Sequence, residues 1–473
     1  MRVVAARVLT ALALVLSSCS SGSAGPDASA PAIASTSSSP SGSGTTSPGP
    51  GGSGASSSGT DWPTYHGDAQ RSGRSPSFPT PARLAVATAL KLDAAVYASP
   101  IVVHGITVVA TERNTLYGLD ASGHQLWSTH LGDPARSGDL PCGNINPSGI
   151  TGTPVYDPST GSVFAVAEYR APVRHELVAL DLRSGSVRWR TSVDLAGTSP
   201  DAMQERGALT LSAKRVWVPF GGRFGDCGNY LGRVVGVPVG NGTPIAYTVP
   251  TAREAGIWTP PGPVVDSTGR LLVAVGNGAS GVGDPYDYSD SILAIDPTSA
   301  KLVDSFSPST WPTDNDADLD LGSQGPTLVG SEWVFSAGKS GNGYVLRQTH
   351  FGGVGGQVSQ AEICKSFGGT AVDGDVVYVP CADGLRAMRI GNDGAMTVLW
   401  HADGDIAGSP VIGGGRIWSV NQSSGTLHAL DPATGRSTMQ VSVGDVSRFA
   451  TPALTGNWVL VPTLAGLVIV STQ

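Results

Sequence analysis

The run with the plainest capacity for chemistry is residues 314–320, DNDADLD. Asp316, Asp318 and Asp320 alternate as the first ligands of a calcium loop do. Gly322, however, falls one place late for the tight turn, and Thr327 stands where a bidentate Glu would complete the shell. The run is therefore expected to be a solvated acidic loop. Next come four cysteines, Cys142, Cys227, Cys364 and Cys381. An even number in an exported domain points to two bridges, and four cysteines admit three pairings. The eight histidines are scattered without metal-ligand spacing. No nucleophile elbow, phosphate loop or dinucleotide fingerprint occurs.

What would position such residues is a repeated strand–turn–strand unit. Residues 177–189 read LVALDLRSGSVRW. An alternating apolar strand leads to Asp181, whose carboxylate accepts backbone N–H groups at the turn, and Gly185 supplies the positive φ that closes it. Trp189 is a flat anchor able to fill the gap between two sheets. Residues 116–127 keep Asp120, Gly123 and Trp127, and residues 427–439 keep Asp431 and Gly435 with Met439 in the Trp place. Residues 385–400 are a stretched copy ending at Trp400, and residues 292–304 have lost both the Gly and the Trp. Each copy follows a Ser/Thr-Pro or Gly-x-Pro, an apolar run, a glycine turn and a second apolar run, as in residues 98–110, 409–420 and 451–461.

Recurrence at roughly 40–60 residues means a propeller or solenoid. The unit is four antiparallel strands, a to d from the axis outward, which make one blade. Blade starts at Tyr97, Ile150, Gly207, Trp258, Gly322, Gly368, Ala407 and Ala450 predict an all-β, eight-bladed β-propeller of four-stranded antiparallel blades. The last blade lacks an outer strand, which residues 87–92 supply, so an N-terminal strand closes the ring and leaves no open edge. In such a blade the d-to-next-a and b-to-c connections share one face, here the top. All four cysteines fall on that face, and this topology favours Cys142–Cys227 and Cys364–Cys381.

The A-x-D-x-x-x-G-x-x-x-W signature resembles the pyrroloquinoline quinone (PQQ) repeat of quinoprotein alcohol dehydrogenase-like propellers, and the opening DWPTYHGDAQRSG is similar to their entry segment. The resemblance implies roles for five residues on the top loops. Ala167-Glu168-Tyr169 and Val275-Gly276-Asn277-Gly278 look like the loops whose Glu and Asn bind calcium. Gly256-Ile257-Trp258 looks like the floor on which the quinone stacks. Asp284 approximates the catalytic Asp, and Lys339 the basic residue that contacts the cofactor. That set would be chemically coherent: calcium on Glu168 and Asn277 polarises the quinone carbonyl, and Asp284 takes the alcohol proton. The departures are that no two cysteines are adjacent, that the register around Asp284 is off by one, and that Gly278-Ala279-Ser280-Gly281 lacks the Pro-Trp that often follows the Asn. The top loops are expected to pack into the quinone slot or to leave an open, wet groove.

Ahead of the propeller, residues 1–18 read as an export signal, with Arg2 and Arg7 preceding a short apolar stretch. Leu16-Ser17-Ser18-Cys19 matches a bacterial lipobox, which makes Cys19 the lipidated residue. Residues 19–60 then form a Ser/Gly/Pro tether with Asp27 its sole charge, and residues 61–473 form the propeller. Net charge is −8 with no basic stripe, which argues against a nucleic-acid partner. The sequence thus reads as an extracytoplasmic lipoprotein anchored to the bacterial cell membrane. It resembles in layout the lipoprotein propeller of outer-membrane protein assembly. Its expected role is non-catalytic: binding an envelope protein or glycan through the top loops, without a cofactor. The alternative is a PQQ- and calcium-dependent alcohol or aldehyde dehydrogenase.

Overall fold

The turn that repeats through the chain forms as its side chains dictate. The computed structural model describes residues 61–402 and 404–473. In it the Asp181 carboxylate accepts the backbone N–H groups of Arg183 and Ser184 at 3.0 and 2.9 Å, and Gly185 follows at φ 68°. Where the repeat has lost its glycine, Ala300 takes the same left-handed conformation at φ 54°.

The repeat's tryptophan acts between blades. Trp127, on the outer strand of blade one, lies against Gly185 of blade two, where an added Cβ would come within 2.4 Å of the indole. Its Nε1 donates to the Leu182 carbonyl at 3.0 Å. Trp400, on the outer strand of blade six, repeats this against blade seven, with 2.4 Å to a Cβ at Gly435 and 2.8 Å to the Pro432 carbonyl. One turn glycine and one tryptophan therefore join consecutive blades, which is why they recur together.

Eight antiparallel sheets result, each built on a four-stranded meander. Blade two, for example, runs Val155–Asp157, Ser162–Tyr169, Arg174–Asp181 and Val187–Ser192. The hydrophobic cores lie between neighbouring blades; Val108 and Leu116 of blade one pack with Val163 and Leu180 of blade two. Ring closure is as expected: Ala85–Lys91 pairs with Gly466–Ser471, joining an N-terminal strand to the last blade. Both disulfides have the expected pairing, Cys142–Cys227 with Cα atoms 6.1 Å apart and Cys364–Cys381 at 5.7 Å.

The entry segment laces the inner strands together near the axis. The carbonyls of Pro63, Ala69, Ser72 and Gly73 accept from Tyr156, Val265, Val372 and Ile412, which belong to blades two, four, six and seven. Arg71, 3% exposed, donates to the Leu209 carbonyl at 2.9 Å and to Thr210 Oγ1 at 2.6 Å on blade three. The channel is filled on that side by the chain itself. No helix among the described residues is long and apolar enough to cross a membrane. The expected signal, Cys19 and the tether lie outside the described residues.

Candidate functional site

Top-face loops surround a cavity of about 790 Å³ at the mouth of the axis. Its lining comes from b-to-c loops and from connections between blades, the two loop classes that share this face. Its two sides differ in charge.

On one side stand Trp258, Asn277, Asp318, Asp320 and Lys339. The Lys339 ammonium is 2.6 Å from Asp318 Oδ1 and 2.8 Å from Asp320 Oδ2, and 5.9 Å from the Trp258 ring centroid. Burial pulls the Lys339 pKa down, but the two carboxylates outweigh it and hold it above its usual value. Asp320 is 1% exposed, and burial raises its pKa despite Lys339. Behind it, burial and the Asp320 charge push Asp290 well above the carboxylate range. Asn277 Nδ2 donates to Asp318 at 2.7 Å, while its buried Oδ1 has no partner.

On the other side are Tyr97, Arg206, Lys365, Phe367, Arg448 and Phe449. The Arg448 guanidinium lies 3.8 Å from the Phe367 centroid, and that of Arg206 lies 4.6 Å from Phe449. Among the described residues no carboxylate is within ion-pair distance of Arg206, Arg448 or Lys365.

The five residues singled out by resemblance are divided by this geometry. Trp258, Asn277 and Lys339 line the cavity together. Glu168 does not. It sits behind the wall with its side chain 3% exposed; Oε1 is 2.5 Å from Arg223 Nη2, and Oε2 accepts from Ser148 at 2.8 Å. His175, itself 2.8 Å from Asp194, approaches the same carboxylate at 3.8 Å. The guanidinium of Arg223, which does line the cavity, occupies the coordinating oxygens of Glu168. Asp284 is exposed on a loop, where it accepts from the Gly281 N–H at 3.0 Å away from the cavity wall. A calcium held jointly by Glu168 and Asn277, with Asp284 beside it, does not fit these positions. Among the described residues no group of His, Cys, Asp and Glu side chains is arranged to hold a metal ion.

The acidic run needs a correction of its own. It is not a uniformly solvated loop: Trp311–Asp316 is a short helix that half-buries the run, and Asp318 and Asp320 then turn onto the cavity wall. The signal for this was present. Asp320 lies just before the Gly322 blade start, in a connection on the same face as the loop carrying Lys339. Arg206, Arg448 and the two phenylalanines carried no sequence signal, because the positions that meet come from connections far apart in the chain.

Comparison with known proteins fits this fold. Residues 85–218 match the family described as outer membrane protein assembly factor BamB. The polyvinylalcohol dehydrogenase of Sphingopyxis sp. (strain 113P3) is 31% identical over 143 residues, which is 25% of this chain and 21% of that enzyme, so the chain aligns with well under two thirds of its relative. Among solved structures, the quinohemoprotein alcohol dehydrogenase ADHIIG from Pseudomonas putida HK5 superimposes with a TM-score of 0.67 at 14% identity, covering 87% of this chain and 80% of that one. BamB from Moraxella catarrhalis gives 0.56 at 18% identity, covering 82% and 97%. At those identities the two structures establish the fold.

Proposed function

We propose that this chain, whose repeats and eight-bladed fold support a place among the PQQ-repeat propellers, is a non-catalytic binding propeller of the cell envelope whose ligand seat is the axial cavity. The observation that carries the reading is the position of the two residues the enzyme would need most. Glu168 is held by Arg223, and Asp284 lies in solvent, while the cavity itself remains formed and lined by polar and aromatic side chains. Family folds host both enzymes and scaffolds, so the site decides.

An extracytoplasmic location is supported by two disulfides, which persist in oxidising compartments, and by the lipobox ending at Cys19. The partner reached through the top loops is an envelope protein or glycan, in keeping with the assembly-factor match over residues 85–218.

One observation favours the second reading, a quinoprotein dehydrogenase: Trp258, Asn277 and Lys339 share one wall, as the resemblance implies. The deciding experiment is a titration of purified protein with PQQ and calcium, followed by dye-linked alcohol and aldehyde oxidation. The binding reading expects no turnover and no thermal shift on adding quinone. Turnover that is lost in Glu168→Ala and Asp284→Ala, or in Asp318→Ala on the wall itself, would make the protein a quinoprotein.

A further inference from the structure

We propose that the axial cavity takes an anionic saccharide, with its carboxylate or phosphate groups on Arg206, Arg448 and Lys365 and its hydroxyls on the opposite side. The inference rests on the cavity being a binding seat, and it names the class of occupant.

The charged end of the ligand is set by cations that the protein leaves unpaired. Lys339 and Arg223 on this cavity each have a carboxylate partner. Arg206 and Arg448 lie instead on Phe449 and Phe367, at 4.6 and 3.8 Å. A guanidinium stacked on a ring has its face covered and its N–H edge free, the geometry of bidentate carboxylate or phosphate recognition. The buried carboxyl whose field reaches Arg206 is Glu112, pushed up to about 7 by burial; Glu205, beside Glu112, is raised well above the usual range. At neutral pH the positive charge is therefore only partly compensated from below.

The rest of the ligand is set by the opposite side. Asp318 and Asn277 line it, and Gln204, Asn144 and Glu254 line the same cavity, together a mixture of donors and acceptors suited to hydroxyl groups. The half-buried rings of Trp258 on this side and of Tyr97 beside Arg206 offer flat faces to the C–H side of a pyranose. A cavity of about 790 Å³ lies in the ~300–1,000 Å³ range of small-ligand seats and excludes a folded domain. Its lining comes mostly from loops, and the edge strand that reaches it, Met203–Gln204, is two residues long, too short for a peptide to pair along as an added strand.

The test is calorimetric titration of the full chain with trigalacturonate, glucose 6-phosphate, maltotriose and tricarballylate. The expected result is binding of one or both anionic sugars, which separates carboxylate from phosphate, with maltotriose and tricarballylate at least about tenfold weaker. Arg206→Met and Arg448→Met should each weaken the anionic sugar about tenfold, and Arg448→Met should do so with an unchanged melting temperature. Equal affinity for maltotriose would remove the charge requirement, and equal affinity for tricarballylate the sugar requirement. Either result overturns this inference while the cavity stays a binding seat. Binding of none of the four also overturns it, whereas the binding-propeller reading stands or falls separately on the quinone assay.

Discussion

On one side of the axial cavity Lys339 is held 2.6 and 2.8 Å from Asp318 and Asp320; on the other, Arg206 and Arg448 lie over Phe449 and Phe367 with no carboxylate within ion-pair distance among the described residues. Both sides are made from the same two loop classes on the same face of the ring. The unpaired side keeps its charge available. Paired charges contribute to the fold and cost a great deal when broken singly, whereas unpaired, stacked charges contribute little to the fold and are the ones a ligand can use. That difference can be broken or sharpened by substitution.

The largest effect is expected behind the cavity wall, at Glu168 and Arg223, whose side chains are 3% and 1% exposed. Arg223→Met leaves a buried carboxylate without its cation and should destabilise the fold by about 3–5 kcal/mol. Glu168→Leu combined with Arg223→Met removes both charges and should recover much of that loss. Urea unfolding of the single and double variants checks this. A single variant as stable as the wild type would mean that the pair is not buried as described.

Next in size is a pH effect beneath the unpaired side. Burial raises Glu112 from 4.5 to about 7, so the folded state binds its proton more tightly than the unfolded chain. Stability from this group is complete below the unfolded value and is lost as pH rises through about 7. The loss is on the order of 3 kcal/mol. Glu112→Gln should therefore be more stable than wild type at pH ~8, and the two should converge near pH ~5, with a flatter profile for the variant. Glu205 is raised in the same direction and partly by the Glu112 charge itself, so the difference between the two proteins contains that coupling as well. Parallel profiles would show that Glu112 titrates normally.

These two sites also show what was legible in the sequence. The blade unit was legible because its residues act locally: Asp181 caps its own turn, Gly185 closes it, and the tryptophan reaches only to the next blade. The closing strand and the disulfide pairing followed from the same topology. The site was legible only where a residue's direction follows from its place in a loop, as for Trp258, Asn277 and Lys339. Glu168 was assigned to a loop between strands b and c, but it lies in the strand Ser162–Tyr169 opposite His175, and Arg223 of the neighbouring blade turns it from a ligand into an ion-pair partner. Asp284 lies in an excursion between two strands whose path no local pattern fixes. The Arg206–Phe449 contact joins blade three to the approach to blade eight and has no local signature at all.

A smaller effect is expected at Lys339. Lys339→Met leaves Asp320, 1% exposed, without its cation, and should cost about 1–3 kcal/mol. Burial would then act on Asp320 unopposed and push its pKa further up, so part of the loss should be recovered in acid, where the carboxyl is protonated. Denaturation at two pH values measures both. A loss that is the same at each would mean that Lys339 matters through packing of its stem on Trp258 rather than through charge.

The smallest effect on the fold is expected at Arg448, and that smallness is the point of the comparison. Its side chain is exposed, makes no ion pair among the described residues, and touches the protein through Phe367 at 3.8 Å. An exposed cation–π contact is worth about 0.5–1 kcal/mol. Arg448→Met, which keeps an unbranched side chain over the ring, should lose less than that, about 0.5 kcal/mol or below. The same change should reduce the salt dependence of anion binding, with Arg206 and Lys365 keeping the rest, since exposed charges are screened within about 10 Å at moderate salt. Chemical denaturation and ligand titration on one preparation read both quantities. If Arg448→Met instead destabilised the fold as much as Lys339→Met, the unpaired side would be structural like the other, and the electrostatic division of the cavity would carry no functional meaning.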